Sequence, residues 1–213
     1  MLEQQIRTVG GELLYDTQVT GFQQSAAHLN AAITTKGEIE ADQFVLSSGV
    51  WSAAMAQDIG LRLPMQAGRG YSVTLPDPVQ MPQLCSILTE ARVAVTPMGK
   101  TLRFGGTMEI TRMNAPLQLR RVEGIFKAAQ EYFPQFERHH FDGIEPWHGL
   151  RPCSPDGMPY LGRTQAYDNL VIATGHAMMG LSLAPVTGQI VGQIIHGEKP
   201  TFDLTLLSPD RYA

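Results

Sequence analysis

The stretch that most restricts the fold is "NLVIATGHAMMGLSLAPVTGQIVGQIIHG", residues 169–197. Leu170 to Ala173 is a run of four apolar residues, short enough for a buried strand. A turn bounded by Gly175 and Gly180 follows, then a helical pattern from about Ala184 to His196. This is a strand that feeds a helix through Thr-Gly-His. Its helix N-terminus offers amides without intrahelical partners and positive potential, which suits an anion or cofactor contact. A tight turn between packed elements is an equally open reading. The same stretch is too interrupted, by Gly175, His176, Gly180, Pro185 and Gly188, to be a clean bilayer span.

Upstream the texture differs. Leu2, Ile6 and Val9 share a helical face that Gly10-Gly11 stops. Residues 11–49 alternate apolar and polar positions between turn signals, as three or four strands of a meander do, and Phe44 to Leu46 reads as a short buried strand. A helix is expected over about Trp51 to Ile59. From Leu63 to Trp147 strand patterns recur at Ser72–Leu75, Ser86–Thr89, Val93–Thr96 and Leu102–Thr107, with the turn "PMGK" between the last two. One long helix is expected near Leu117 to Tyr132, ending before Pro134. The fold class is therefore α+β: an antiparallel or mixed sheet with helices, joined to an α/β part.

A chain of 213 residues can bury a real core and accommodates one large domain or two small ones. Its net charge of -4 argues against binding a nucleic-acid backbone, so no nucleic-acid partner is expected. Two cysteines, Cys85 and Cys153, stand far apart and outside any CxxC spacing. They suggest neither a disulfide framework nor a zinc site, and a reducing, cytoplasmic setting fits them best. The opening residues lack the basic and apolar regions of a secretory signal. "GRGYSV" at 68–73 carries two glycines of G-x-G-x-x-G but not the third, and no βαβ context.

Taken in order, "ADQFVLSSGVWS", "GRGYSVTLP", "TLRFGGTMEI", "GLRPCSPDGMPYLGRT" and "NLVIATGHAMMGLSLAP" resemble the C-terminal half of a flavin-dependent D-amino-acid dehydrogenase. The superfamily also holds glycine oxidase, D-amino-acid oxidase and sarcosine oxidase. The resemblance covers nearly the whole sequence. The family's opening strand, G-x-G-x-x-G turn and helix, which seat the FAD pyrophosphate, have no counterpart here. The domains it implies are residues 1–62 and 148–213 as parts of an FAD-binding α/β domain, with residues 63–147 as an α+β substrate-binding domain. This half alone is expected to be inactive or nearly so. An apolar surface that normally meets the missing unit is expected to drive self-association.

The resemblance gives roles to particular residues. Arg151 matches the family's carboxylate-binding arginine: a guanidinium is always charged, does not react and grips a carboxylate at two points. The plainer reading is an arginine paired to a structural carboxylate. Tyr71 matches a Gly-Tyr-Ser whose hydroxyl faces the substrate, and a buried tyrosine with a satisfied hydroxyl is the alternative. Gly175, His176, Met179, Gly180 and Leu181 match the segment beneath the flavin ring. Ser48, Gly49 and Trp51 match the turn beside the flavin nucleotide, and Val19 matches the position whose backbone meets the adenine. No catalytic base is assigned, because hydride transfer is the cofactor's chemistry. The segment His176-Ala177-Met178-Met179 lacks the second arginine of glycine oxidase, which favours the dehydrogenase branch. FAD, an amino-acid substrate and a quinone or other electron acceptor are the implied cofactor and partners, with peripheral attachment at the inner face of a bacterial membrane. A non-catalytic module of the same fold, and an amine oxidase acting on N-methyl or cyclic amino acids, are the other readings. His139-His140 reads as a solvated loop, and Met55, Met65, Met98, Met108, Met178 and Met179 as core filler.

Overall fold

A computed structural model describes residues 1–213, which divide into two compact units. The first comprises Met1–Leu63, Tyr160–Thr174 and Ala184–Ala213, and the second Pro64–Pro159 and Gly175–Leu183. The first division falls beside the expected 62/63 boundary. The second lies at Pro159, twelve residues beyond the expected 147/148 boundary, for a reason that lies in strand pairing described below.

In the first unit, helix α1 (Leu2–Thr8) buries none of its residues and ends as Gly10 adopts φ 82°. The meander forms β1 (Val19–Ser25), β2 (His28–Thr34) and β3 (Gly37–Glu40), antiparallel in that order. A second sheet places β11 (Leu170–Thr174) between β10 (Tyr160–Arg163), antiparallel to it, and β4 (Phe44–Leu46), parallel to it. Every residue of β11 is buried, and the strand supplies two cores. Leu170 and Ile172 pack with Leu29, Leu46 and Ile59, while Val171 and Ala173 pack with Ile190 and Ile194. That is why its sequence is a continuous apolar run rather than an alternation. Asn169, 1% exposed, fixes β2 to the start of β11: its amide accepts from the Leu29 N–H at 3.0 Å and donates to the Leu29 carbonyl at 2.8 Å. Helix α2 is Ser52–Asp58, and α4 runs Gly180–Ile195. It therefore starts four residues before the expected Ala184, with Pro185 inside its second turn.

The second unit is a five-stranded antiparallel sheet of β5 (Gln66–Leu75), β6 (Ser86–Leu88), β7 (Val93–Met98), β8 (Thr101–Thr111) and β9 (Trp147–Cys153). Their order is β6-β7-β8-β5-β9. The "PMGK" turn closes β7 onto β8, with Gly99 at φ 62°. Helix α3 (Leu119–Tyr132) places Val122, Ile125, Phe126 and Ala129 against one face of the sheet, in a core with Val73, Leu75, Phe104, Phe136 and Phe141. Because β9 pairs with β5 over seven residues, residues 148–159 fold with this sheet and not with the C-terminal segment. No helix of the chain is long and apolar enough to cross a membrane.

Candidate functional site

Side chains on a strand alternate between faces, so directly opposed residues of β5 and β9 share a face. Gly68 lies opposite Arg151, Gly70 opposite Gly149, and Ser72 opposite Trp147. On β8, Ile110 lies opposite Gly68 and Met108 opposite Gly70. This face is turned away from the one that packs on α3, which Tyr71, Val73 and Leu75 occupy.

The glycines have a steric reason. A Cβ on Gly70 would stand 2.7 Å from Cζ and 2.8 Å from Nη2 of Arg151, so the guanidinium occupies the space that any other residue would fill. A Cβ on Gly149 would meet the indole of Trp147 in the same way, with Cζ2 and Cζ3 at 3.1 Å. At Gly68 the space belongs to Met108 Sδ at 2.6 Å and Cys153 Sγ at 2.7 Å. The opposed pair Gly70 and Gly149 is thus a floor, with a guanidinium over one residue and an indole over the other.

The Arg151 guanidinium makes no hydrogen bond or ion pair within the protein. The alternative of a structural ion pair is not what the fold contains. Burial pushes the neighbouring Cys153 thiol above its ordinary value, and the Arg151 charge acts in the opposite direction. The 175–181 segment meets the same strand: His176 bridges to Cys153, and the Ala177 N–H donates to the Pro152 carbonyl at 3.0 Å. Gly175 at φ 81° and Ala177 at φ 46° bend this segment before α4, and the second is a strained conformation for a residue with a Cβ. His176 is half-buried, and that burial holds its imidazole below the ordinary value. Met178, Met179 and Leu181 are exposed. The structure therefore brings Arg151, Gly175 and His176 together in one unit, with Met179, Gly180 and Leu181 directly following.

Tyr71 is placed elsewhere. It is 3% exposed on the α3 side of the sheet, its hydroxyl donating to Glu109 Oε1 at 2.6 Å and accepting from the Gln118 N–H at 3.1 Å. The alternation of β5 puts it on the opposite face from Gly70, so it is the buried tyrosine with a satisfied hydroxyl and does not share Arg151's face. Glu109 also accepts from Arg121 Nε at 3.1 Å and lies 3.9 Å from Arg69, itself 1% exposed. Arg69 donates to the carbonyls of Pro116, Met113 and Arg112, which fixes the chain entering α3.

The remaining positions lie in the first unit. Val19 and Ser48 line one hollow of about 290 Å³ with Phe44, Val45, Met55 and Leu170. Ser48 hydrogen bonds to Ser52 at 3.0 Å, and the Gly49 carbonyl accepts from Thr174 Oγ1 at 3.0 Å. Trp51 is 58% exposed and stands outside that hollow. His139 is exposed in a short 3-10 turn, as expected, whereas His140 is partly buried, its Nδ1 accepting from the Glu137 N–H at 2.9 Å. Met98, Met178 and Met179 are exposed rather than core residues.

Sequence reasoning missed Trp147, Gly149 and Gly70 as a set. The signal was present in "WHGLR", where Gly149 stands two residues from both Trp147 and Arg151.

The family model described as FAD dependent oxidoreductase (DAO) matches residues 1–194. A D-amino acid dehydrogenase of Bradyrhizobium diazoefficiens is 31% identical over 214 residues, covering all of this chain and 50% of that protein. A D-amino-acid oxidase of the same organism is 32% identical, covering 95% of this chain and 48% of that protein. The chain spans about half the length of the curated relatives it matches. Among solved structures, glycine oxidase from Geobacillus kaustophilus superposes with a TM-score of 0.84 at 26% identity, over 97% of this chain and 55% of that one.

Proposed function

The chain belongs to the DAO family of FAD-dependent oxidoreductases, and from that premise we propose that it forms the substrate-holding half of an enzyme oxidising D-amino acids. One observation carries the reading: the Arg151 guanidinium, fixed over Gly70, has no anionic partner within the protein. A cation with an unspent two-point fork on an open face suits a carboxylate.

Residues 175–181 suit a flavin. Exposed Met178, Met179 and Leu181 would meet a flat apolar ring, and the leading amides of the sixteen-residue helix α4 favour negative charge. Flavin, when bound, takes a hydride from the substrate α-carbon while an amine proton is released, and the resulting imino acid hydrolyses to a keto acid and ammonia. Arg151 would hold the carboxylate, its guanidinium seated against the sheet over Gly70. His176, kept below its ordinary value by burial, is neutral at pH 7 and adds no charge beside the ring. Ser48, Gly49, Trp51 and Val19 are assigned to the nucleotide portion. Electrons would pass to a quinone or another acceptor, with peripheral attachment to the inner face of a bacterial membrane.

A second reading, oxidation of glycine, N-methyl or cyclic amino acids, draws on the likeness to glycine oxidase. A non-catalytic role draws on the half-length match. Titrating the chain with FAD by fluorescence, then adding D-alanine, D-proline or sarcosine without oxygen, separates them. Bleaching by D-amino acids, at most slow for this half alone, that Arg151→Met abolishes is the expected result. Bleaching that survives this substitution removes Arg151 from the reaction, and FAD bound but never bleached points to the non-catalytic role.

A further inference from the structure

We propose that the hollow between the start of α3 and strands β7 and β8 binds a phosphate group. It lies on the α3 side of the sheet, away from Arg151, and owes nothing to the carboxylate-holding role of that residue.

The hollow measures about 330 Å³ and is walled by Gln118, Arg120 and Arg121 at the helix start, Thr107 of β8 and Val93 of β7, with Gly124 one turn further along α3. No acidic side chain lines it. Arg121 donates through Nε to Glu109 at 3.1 Å and through Nη1 to Thr107 Oγ1 at 3.0 Å, and its Nη2 has no partner. Arg120 is exposed and makes no hydrogen bond or ion pair.

These two arginines stand where a helix least favours them. A helix start carries positive potential and unpaired amides, so acidic residues stabilise its first turn. The first turn of α3 has none, no side chain caps it, and the Leu119 and Arg120 N–H groups are without partners. Glu109 answers Arg121 alone, which leaves the Arg120 charge and the helix start uncompensated. A phosphate group, with three or more acceptor oxygens, can meet two guanidinium groups and an amide together; a carboxylate, with two, cannot serve them all.

Gly124 is an independent sign. It sits inside the helix without positive φ, at a position where glycine costs stability, and a Cβ there would meet nothing within 4 Å. Across the hollow, Gly106 has a packing reason, because its Cβ would stand 2.6 Å from Ile125. Gly124 has none, and what its missing side chain does is keep the hollow open.

Amide NMR spectra of the isotope-labelled 213-residue chain, titrated at constant ionic strength with inorganic phosphate, AMP and acetate, test the site without flavin or turnover. Phosphate should shift the amides of Leu119, Arg120 and Gly124 and bind about tenfold more tightly than acetate. Arg120→Met should weaken phosphate about tenfold. Gly124→Leu should abolish binding while melting no lower than the wild type, and Gly124→Ala should weaken binding with the same or a higher melting temperature. Arg151→Met, on the other face, should leave phosphate affinity unchanged. AMP binding at least as tightly as phosphate identifies a phosphorylated metabolite as the ligand, and AMP binding more weakly identifies free phosphate; either supports the site. Acetate matching phosphate, phosphate shifts confined to the Arg151 face, or binding indifferent to both Arg120→Met and Gly124→Leu overturns it.

Discussion

The guanidinium of Arg151 stands in the volume that a side chain on Gly70 would need, with Cζ 2.7 Å from the position of the absent Cβ. Gly70 lies within β5 and does not have positive φ. Gly70→Ala should therefore keep the fold, because the clash falls on the far end of a flexible side chain, and stability should change by about 1 kcal/mol or less. The displaced guanidinium should lose carboxylate affinity by about tenfold or more. A urea melt beside a benzoate titration checks both halves. Unchanged affinity would mean that the position of the guanidinium does not matter.

Glu109 balances buried positive charge on the other face of the sheet. It accepts from Tyr71 and Arg121 and lies beside Arg69, whose remaining partners are backbone carbonyls. Removing the carboxylate leaves Arg69 and the Tyr71 hydroxyl buried without it, so Glu109→Ala should cost about 3–5 kcal/mol. Tyr71→Phe removes the hydrogen bond to the charged Glu109 and the one accepted from the Gln118 N–H, and should cost about 1.5–3 kcal/mol. Denaturant unfolding of both variants measures this. Carboxylate affinity of folded Tyr71→Phe should match the wild type, since Tyr71 and Arg151 face opposite sides.

How far the fold could be read depended on whether the signal was local. The apolar run of β11 and the Gly99 turn between β7 and β8 declare themselves within a few residues. Strand β9 does not: Gly149 and Pro152 are poor strand residues, tolerated because β9 lies at the sheet edge, where fewer backbone groups need partners. Strand β5 was recognisable only from Ser72 onward, because Gly68 and Gly70 obscure its pattern. Arg151 was legible through its motif, but the side on which Tyr71 lies depends on register, and a bulge interrupts the β5–β8 pairing between Gly70 and Ser72. The Arg69–Glu109 pairing joins residues forty positions apart, and no local pattern announces it.

His176 makes stability depend on pH in a defined direction. Burial lowers its folded value, whereas the unfolded imidazole titrates near the usual value of about 6.5. Just below that pH the unfolded chain binds more protons than the folded one, so the unfolding free energy falls as pH falls. The contribution is intact above about 6.5 and is lost as pH drops through the lowered folded value. Urea midpoints from pH 7.5 to 5 should fall more steeply for the wild type than for His176→Asn. Parallel profiles would show that burial of this imidazole is not the cause.

Strand β4 ends its sheet, pairing with β11 on one side only, and exposes Val45 at 41% with Trp51 nearby in sequence at 58%. An open strand edge beside apolar side chains invites another strand, and a charge on such an edge discourages it. The chain should therefore self-associate as its concentration rises, seen as an increasing sedimentation coefficient and binding of a hydrophobic dye. Val45→Lys should weaken both. Its effect on folding should be small, about 0.5 kcal/mol, because Val45 lies outside the core clusters that Leu46 and Leu170 join. Wild-type chain that stays monomeric across the concentration range and leaves the dye dark would mean that this edge is already protected by the fold.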